Sequence, residues 1–194
     1  MKECDLVKAL FYYTDKKDQK YMSSNTTCVP KVGECDFLSV SKAGLLTEYE
    51  IKTSRSDFKA DFRNKPSKHK RMAGEPISVQ KYNSEKSNEN YRKGLQAVYD
   101  EYEELQDPFV NYFYFVCPEG LIKPEELPEY AGLIYAKWFT YGDQSHSGRW
   151  IVQEIKKPKR FHKNKPDDKF IITMLRSVMF KYYSNYVPTS AISR

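Results

Sequence analysis

The spacing of apolar residues predicts a helix near each end of the chain. Near the amino terminus, apolar residues between Leu6 and Phe11 recur with a helical period, which predicts a helix over about residues 3–14. Near the carboxyl terminus, a longer amphipathic pattern predicts a helix over residues 167–183. Asp168 lies near the start of this second helix, where a negative charge interacts favourably with the helix dipole.

Between these helices, runs of β-branched and aromatic residues predict the strands of a sheet. The predicted strands are residues 25–29, 34–40, 45–53, 111–117, 132–138 and 149–156. Ser54 or Ser56 can cap a helix that contains Phe58, and a further helix is predicted over residues 90–105. Helices and strands in this order predict an α/β fold with a mixed β-sheet flanked by helices.

Residues 64–89 interrupt this pattern because they are rich in Lys, Ser and Asn and poor in apolar residues. They predict a mobile basic loop with one helical turn near residues 68–72. No internal repeat is visible, and 194 residues are enough to bury the core of one domain. We therefore expect a single domain over residues 1–194, with a basic loop or insertion at about 64–90.

The positive charge of the chain is clustered. The net charge is +6, and the basic excess lies at residues 55–93 and 156–165. Clustered positive charge favours a polyanion such as nucleic acid, although a solvated basic loop would show the same pattern. The candidate DNA-phosphate contacts are Arg55, Lys65, Lys68, His69, Arg71, Lys156, Lys157, Lys159 and Arg160. His69 could instead support a metal site, or be an exposed loop histidine.

Several protein classes are disfavoured by missing patterns. No apolar run approaches the roughly 20 residues of a membrane span, and the amino terminus does not read as a signal peptide. The four cysteines lack zinc-site spacing, so we expect reduced thiols in the cytoplasm of a bacterial cell or phage-infected host. Glycine-rich phosphate loops and serine-nucleophile motifs are also absent from the sequence. The oligomeric state is left open.

The predicted hairpin brings acidic residues into register. If its turn is centred on Ala43, the numbers of paired residues sum to 86, so Asp36 faces Glu50 and Glu34 faces Lys52. Opposed side chains lie within about 4.5–5.5 Å at Cβ. Two opposed carboxylates are destabilising unless a cation compensates them, and Mg²⁺ or Mn²⁺ would do so. Lys52 would then lie beside the metal, an arrangement suited to phosphodiester hydrolysis. The alternative is a solvated hairpin face.

A second Glu-Ile-Lys triplet occurs at residues 154–156, with Asp143 eleven residues upstream. Asp143 lies in a predicted loop, and pairing it with Glu154 would require a turn near residues 148–149, where the next strand is predicted to begin. The copy at Glu50 is therefore the better candidate.

Asp36 followed by Glu50-Ile51-Lys52 resembles the PD-(D/E)xK nuclease motif. The continuation EIKTSRSDFKADF is more narrowly similar to MmcB-like DNA repair proteins and their phage relatives. The Lys-His-Lys segment at residues 68–70 and the stretches 112–122 and 127–138 resemble later segments of these proteins. The resemblance covers most of residues 33–160. It departs from the name motif at Cys35, which stands where the motif has a proline.

The resemblance implies a restriction-endonuclease-like three-layer core. It also implies that Asp36 and Glu50 bind the metal with help from the Ile51 carbonyl, and that Lys52 is the catalytic lysine. Glu3 on the first helix is a further candidate ligand. The expected function is a Mg²⁺- or Mn²⁺-dependent DNA nuclease of bacterial or phage origin, acting in DNA repair or processing. DNA binding would be structure-selective or nonspecific. The alternatives are a catalytically silent DNA-binding or partner-docking module and a structural phage protein.

Overall fold

The computed structural model describes residues 1–29, 33–82, 84–96, 99–105, 108–141 and 148–186. The helices are α1 (Glu3–Lys16), α2 (Arg55–Asn64), α3 (Pro66–Met72), α4 (Ser84–Arg92) and α5 (Asp168–Tyr186). The strands are β1 (Gln19–Val29), β2 (Gly33–Ser41), β3 (Leu46–Ile51), β4 (Ile77–Tyr82), β5 (Tyr99–Leu105), β6 (Tyr112–Pro118), β7 (Gly132–Thr140) and β8 (Gly148–Lys156).

Six strands form one mixed sheet in the order β1-β2-β3-β6-β7-β8. The three central strands β3, β6 and β7 are parallel, and the outer neighbours pair antiparallel. β4 and β5 form a separate two-stranded sheet. The predicted α/β fold, with a mixed sheet flanked by helices, is confirmed. Because the carboxyl ends of parallel strands meet at one edge, β3, β6 and β7 all end on the same side of the sheet.

Helices cover both faces of the sheet, so the core has three layers. On one face, Leu6 and Leu10 of α1 pack against Phe37, Tyr49 and other apolar side chains. On the other face, residues of α2, α3 and α5 pack against Phe113 and Phe115 of β6. Burial of each large apolar side chain contributes about 1.5–3 kcal/mol, which holds the helices against the sheet.

The register of the β2–β3 hairpin is the one predicted from the sequence. Phe37 pairs with Tyr49, and Val40 pairs with Leu46, so paired numbers sum to 86 as predicted. The turn includes Gly44, whose positive φ of 78° favours glycine. The predicted turn centred on Ala43 is therefore confirmed.

The helix after this hairpin also forms as predicted. Of the two candidate caps, Ser54 is the one used, because its Oγ accepts a hydrogen bond from the Asp57 amide at 3.1 Å. α2 ends at Asn64, and Pro66 opens α3 at a position where a missing amide N–H costs nothing. This break turns the chain so that α3 also packs over β3.

The middle of the chain differs from its prediction. The helical turn predicted near residues 68–72 is confirmed as part of α3, but the loop predicted over the rest of residues 64–89 is wrong, since β4 and α4 lie there. Within α3, Lys68 and His69 are buried against internal carboxylates, which an apolar pattern does not reveal. The helix predicted over 90–105 is also wrong, because α4 ends near Gly94, at φ 70°, and the acidic stretch Tyr99–Leu105 pairs with β4.

The carboxyl-terminal helix forms as predicted, but its apolar stripe is covered mainly in its first half. Phe170 and Met174 are buried, whereas Leu175, Val178 and Met179 are exposed. None of the described helices is long and apolar enough to cross a membrane. The predicted loop at 142–147, including Asp143 and His146, lies outside the described residues.

Candidate functional site

The charged residues of the hairpin are buried. Glu48 and Glu50 are each 1% exposed, and Lys52 is 4% exposed. They lie where α2 and α3 cover the sheet, so the alternative of a solvated hairpin face is wrong. Ionised groups this deep require compensation, because each loses its hydration.

Lys52 lies between two carboxylates. Its ammonium donates to Glu50 Oε1 at 3.1 Å and to Asp61 Oδ1 at 2.8 Å. Burial lowers the pKa of Lys52, but the attraction of Glu50 and Asp61 outweighs this effect and raises it overall. The side chain is therefore held both charged and in a defined position.

Two lysines at the α2–α3 junction complete the compensation. Lys68 lies 2.6 Å from Glu50 Oε2 and 2.5 Å from Glu48 Oε1, and Lys65 contacts both Glu50 and Asp61. Burial raises the pKa of Glu50, but Lys68, together with Lys52 and Lys65, brings it below its ordinary value. Glu48 has Lys68 beside it, yet burial dominates and raises the pKa of Glu48.

Asp61 also begins a chain of polar contacts that leads away from Lys52. Its Oδ2 lies 2.7 Å from His69 Nε2, and His69 Nδ1 lies 2.6 Å from the Tyr130 hydroxyl. Burial raises the pKa of Asp61, but hydrogen bonds from His69 and Lys52 outweigh it and hold the pKa well below its usual range. The chain fixes the carboxylate that anchors Lys52.

Asp36 lacks comparable neutralisation. Its Oδ2 accepts the Ile51 amide at 2.7 Å, yet burial and then repulsion by Glu50 raise the pKa of Asp36 to about 6. The two predicted metal ligands are thus close enough to repel each other. A bound cation would relieve this repulsion.

A cleft of about 220 Å³ opens at this point. It is lined by Asp36, Glu50, Ile51 and Lys52, and by Glu3 from the first turn of α1. All five predicted catalytic or metal-binding residues therefore line one cleft.

These carboxylates are the oxygen donors that a hard cation prefers, and Glu50 repels Asp36 in addition to the burial that raises its pKa, so the donor set fits Mg²⁺ or Mn²⁺. Across the part of the chain that the structure describes, however, no three His, Cys, Asp or Glu side chains converge on a point that could hold an ion. Lysine ammoniums lie against Glu50 instead, so metal binding would require Lys52 or Lys65 to shift.

The predicted phosphate contacts fall into two groups. Lys68, His69 and Arg71 are buried, and the first two bind the internal carboxylates rather than facing solvent. Arg55 is exposed and forms an ion pair with Glu126.

The other predicted contacts follow β8. Lys156 donates to the Pro128 carbonyl at 3.0 Å, and the exposed Arg160 donates to the His162 carbonyl at 3.2 Å. Lys157 and Lys159 are exposed. Exposed cations of this kind can bind a phosphate backbone, whereas the buried ones cannot reach it without opening the site.

Two further predictions concern Glu34, expected to face Lys52, and Glu154 of the second Glu-Ile-Lys triplet. The side chain of Glu34 lies outside the described part of the chain, so its pairing with Lys52 stays a prediction. In the second Glu-Ile-Lys copy, Glu154 lies on the α1 face of the sheet, 3.2 Å from Lys17 and 3.3 Å from the Tyr13 hydroxyl. It is therefore separate from the cleft.

Sequence reasoning missed Asp61 and Tyr130. Asp61 follows Phe58 by three residues and Ser54 by seven, which places it on the buried face of α2, so helical periodicity could have identified it. Tyr130 follows the 3₁₀ turn Pro124–Glu126, and nothing local distinguishes it from other tyrosines.

No protein-family model and no curated protein matches the chain. Among solved structures, it is similar to the SPO1766 protein of unknown function from Silicibacter pomeroyi, with a TM-score of 0.53 and 10% sequence identity. The similarity covers 94% of this chain and 90% of that chain. At this identity it shows a shared fold alone.

The raised pKa of Asp36 leads to a stability prediction. In metal-free protein, Asp36→Asn should raise the free energy of unfolding at pH 7 by about 1–2 kcal/mol. An acid whose pKa rises to about 6 on folding holds its proton more tightly in the folded state, so ionisation above that pH costs stability. The gain should shrink as the pH falls toward 4, because the carboxyl begins to take up its proton in the unfolded chain as well.

Urea denaturation between pH 4 and pH 8 in EDTA would measure this effect, with the exposed Asp15→Asn as control. A loss of stability at pH 7 in Asp36→Asn would contradict it.

Proposed function

We propose that this chain is a metal-dependent nuclease that hydrolyses phosphodiester bonds in DNA. The observation that carries the proposal is Lys52, buried between Glu50 and Asp61, in a cleft that Asp36 also lines. A structural ion pair would need one carboxylate partner. Several carboxylates beside an oriented ammonium at a cleft are typical of a site where the carboxylates bind a cation and the ammonium binds a negatively charged substrate.

The residues have distinct roles in this proposal. Mg²⁺ or Mn²⁺ would be held by Asp36 and Glu50, with Glu3 and the Ile51 carbonyl as further donors, and would stabilise charge on the scissile phosphate. An ammonium has three N–H donors. Among the described residues, Glu50 and Asp61 accept hydrogen bonds from Lys52, and Asp57 Oδ1 lies 3.9 Å away, beyond hydrogen-bond distance, so one donor is left for a phosphate oxygen or a water.

The exposed cations Lys157, Lys159 and Arg160 would hold the DNA backbone. Their contacts carry no sequence information, so binding would be structure-selective or nonspecific. The similarity to MmcB-like proteins and their phage relatives supports a role in DNA repair or processing in a bacterium or phage.

A catalytically silent DNA-binding module is the second candidate. It is favoured by the ion pairs of Lys52, Lys65 and Lys68 with Glu50, which compensate this carboxylate without a metal. A module of this kind would bind DNA and leave it intact.

The two candidates differ in metal binding. We expect calorimetry to detect Mg²⁺ and Mn²⁺ binding to the wild type and not to Asp36→Ala/Glu50→Ala. Cleavage of plasmid and single-stranded DNA, measured on the same samples, should disappear with it. Glu154→Gln is the matched control, because it changes the glutamate of the second Glu-Ile-Lys copy outside the cleft. DNA binding without metal binding in the wild type would establish the silent module instead.

A further inference from the structure

A second cleft, of about 890 Å³, lies between α1 and the adjoining parts of β7 and β8. One wall is a stripe of α1 that includes Lys8, Tyr12 and Lys16, spaced four residues apart. The other wall contains Trp138 and Trp150, which are the two tryptophans of the chain. We call this cleft the tryptophan groove.

Two rings of the tryptophan groove, Trp138 and Tyr12, are exposed, and Trp138 packs against the partly buried Trp150. Trp138 is 44% exposed and packs edge-on against Trp150, with ring centroids 5.2 Å apart. A Cβ at Gly148 would lie 2.7 Å from the Trp138 ring, so glycine is required where the indole meets the backbone of β8. Tyr12, across the groove, is 66% exposed. Exposed aromatic surface of this kind marks an interaction site.

The charges around the rings favour a polyanion. Lys8, Lys16 and Arg149 line the groove together with one acid, Asp5. The Asp5 carboxylate accepts the amide of Lys2 at 2.9 Å and so caps the start of α1. A positive groove with exposed aromatic faces suits a nucleic acid whose bases are unpaired, because they can stack on the rings while the phosphates meet the cations. In a duplex the base faces are covered by their neighbours.

The tryptophan groove and the carboxylate cleft lie toward the same edge of the sheet. β3 and β7 are both parallel to β6, so Lys52, just after β3, and Trp138, near the end of β7, lie toward the same edge of the sheet. The first turn of α1 links the two sites, since Glu3 lines the cleft and Asp5 lines the groove.

We propose that the tryptophan groove binds single-stranded DNA and leads it to the carboxylate cleft. The inference rests on the proposed function and adds its substrate class, a DNA with unpaired bases.

Tryptophan emission tests this directly, because both tryptophans line the groove. The full chain in EDTA is titrated with a short oligothymidylate, and we expect saturable quenching. Tyr12→Ala and Trp138→Ala should each weaken binding about five-fold or more, the loss expected when a stacked base is lost. Binding by these variants is followed by the anisotropy of a labelled oligonucleotide. Phe139→Ala is the matched control, since Phe139 is 45% exposed and points to the opposite face of β7.

A charge variant tests the same groove without removing a ring. Lys8→Glu/Arg149→Glu should weaken binding and lower the dependence of log affinity on log salt by about 0.7 for each lost cation. Lys93→Glu, at the exposed position just after α4, is the control.

Three results would overturn the proposal: equal quenching by duplex DNA, an equal loss of affinity in Phe139→Ala, or oligonucleotide binding that leaves the emission unchanged. Quenching without cleavage activity in Mg²⁺ would contradict the proposed nuclease function and support DNA binding in the tryptophan groove. Cleavage of single strands without quenching would contradict the role of the groove alone.

Discussion

Lys68→Met should destabilise the protein by about 3–5 kcal/mol at pH 7, because removing one partner of a buried ion pair leaves an uncompensated charge. Lys68 is 6% exposed and lies between Glu48 and Glu50. Lys52 and Lys65 still reach Glu50 without it. Among the ion pairs that the structure describes, Lys68 is the partner of Glu48, so the cost falls mainly on that carboxylate.

Urea denaturation measures this loss of unfolding free energy, and two further variants show where it comes from. Lys70→Met changes an exposed lysine of the same helix and should cost less than about 1 kcal/mol. Adding Glu48→Gln to Lys68→Met should recover part of the loss, since the buried charge disappears with its partner. If Lys68→Met behaves like Lys70→Met, the buried network does not hold α3 on the sheet.

The same variant should respond to pH. Burial already raises the pKa of Glu48, so without Lys68 the carboxyl takes up its proton in the folded state at a pH where the unfolded chain is still ionised. The deficit of Lys68→Met relative to wild type should therefore shrink as the pH falls from 7 toward 5.

Lys52→Met should lower DNA cleavage by about 10²–10³-fold, the usual cost of removing one preorganised donor to the transition state. Lys65 contacts Glu50 and lies 3.3 Å from Asp61 Oδ1, so both partners of Lys52 keep a cation and the fold should persist. We expect a Mg²⁺ affinity at least as high as that of the wild type, because Lys52 no longer competes for Glu50, and a DNA affinity near that of the wild type, with the loss in kcat.

Lys137→Met is the control for this prediction, since Lys137 is an exposed lysine paired with Glu119 at 2.9 Å, outside both clefts. Single-turnover cleavage of a labelled strand gives the rate directly. A rate within tenfold of the wild type would exclude Lys52 from the chemistry, whatever the metal titration shows.

Much of the fold followed from local patterns. The β2–β3 register followed from one turn, because in a hairpin the position of the turn determines every pair. The start of α2 followed from Ser54, whose side chain accepts the Asp57 amide. The same patterns failed at residues 64–105, where α3 is buried through charges and β5 pairs with β4, about twenty residues earlier.

Some residues of the candidate site could be predicted from the sequence, and others could not. Asp36 opposite Glu50, and Lys52 two residues later, could be placed from the sequence because they share one hairpin. The resemblance to PD-(D/E)xK nucleases added Glu3, which the structure brings to the same cleft. Tyr130 reaches His69 from 61 residues away, and no local pattern encodes such a contact.

The sequence by itself determined the strands of the six-stranded sheet, the hairpin register and the alignment of the acidic residues with Lys52, because these depend on neighbours along the chain. Tertiary structure alone decided that Glu48 and Glu50 are buried, that Lys65 and Lys68 compensate them, and that Asp61 anchors Lys52. These features depend on how α2 and α3 pack over β3. Burial converts a charged hairpin face into a network of strongly interacting charges, since charges interact strongly only where water is excluded.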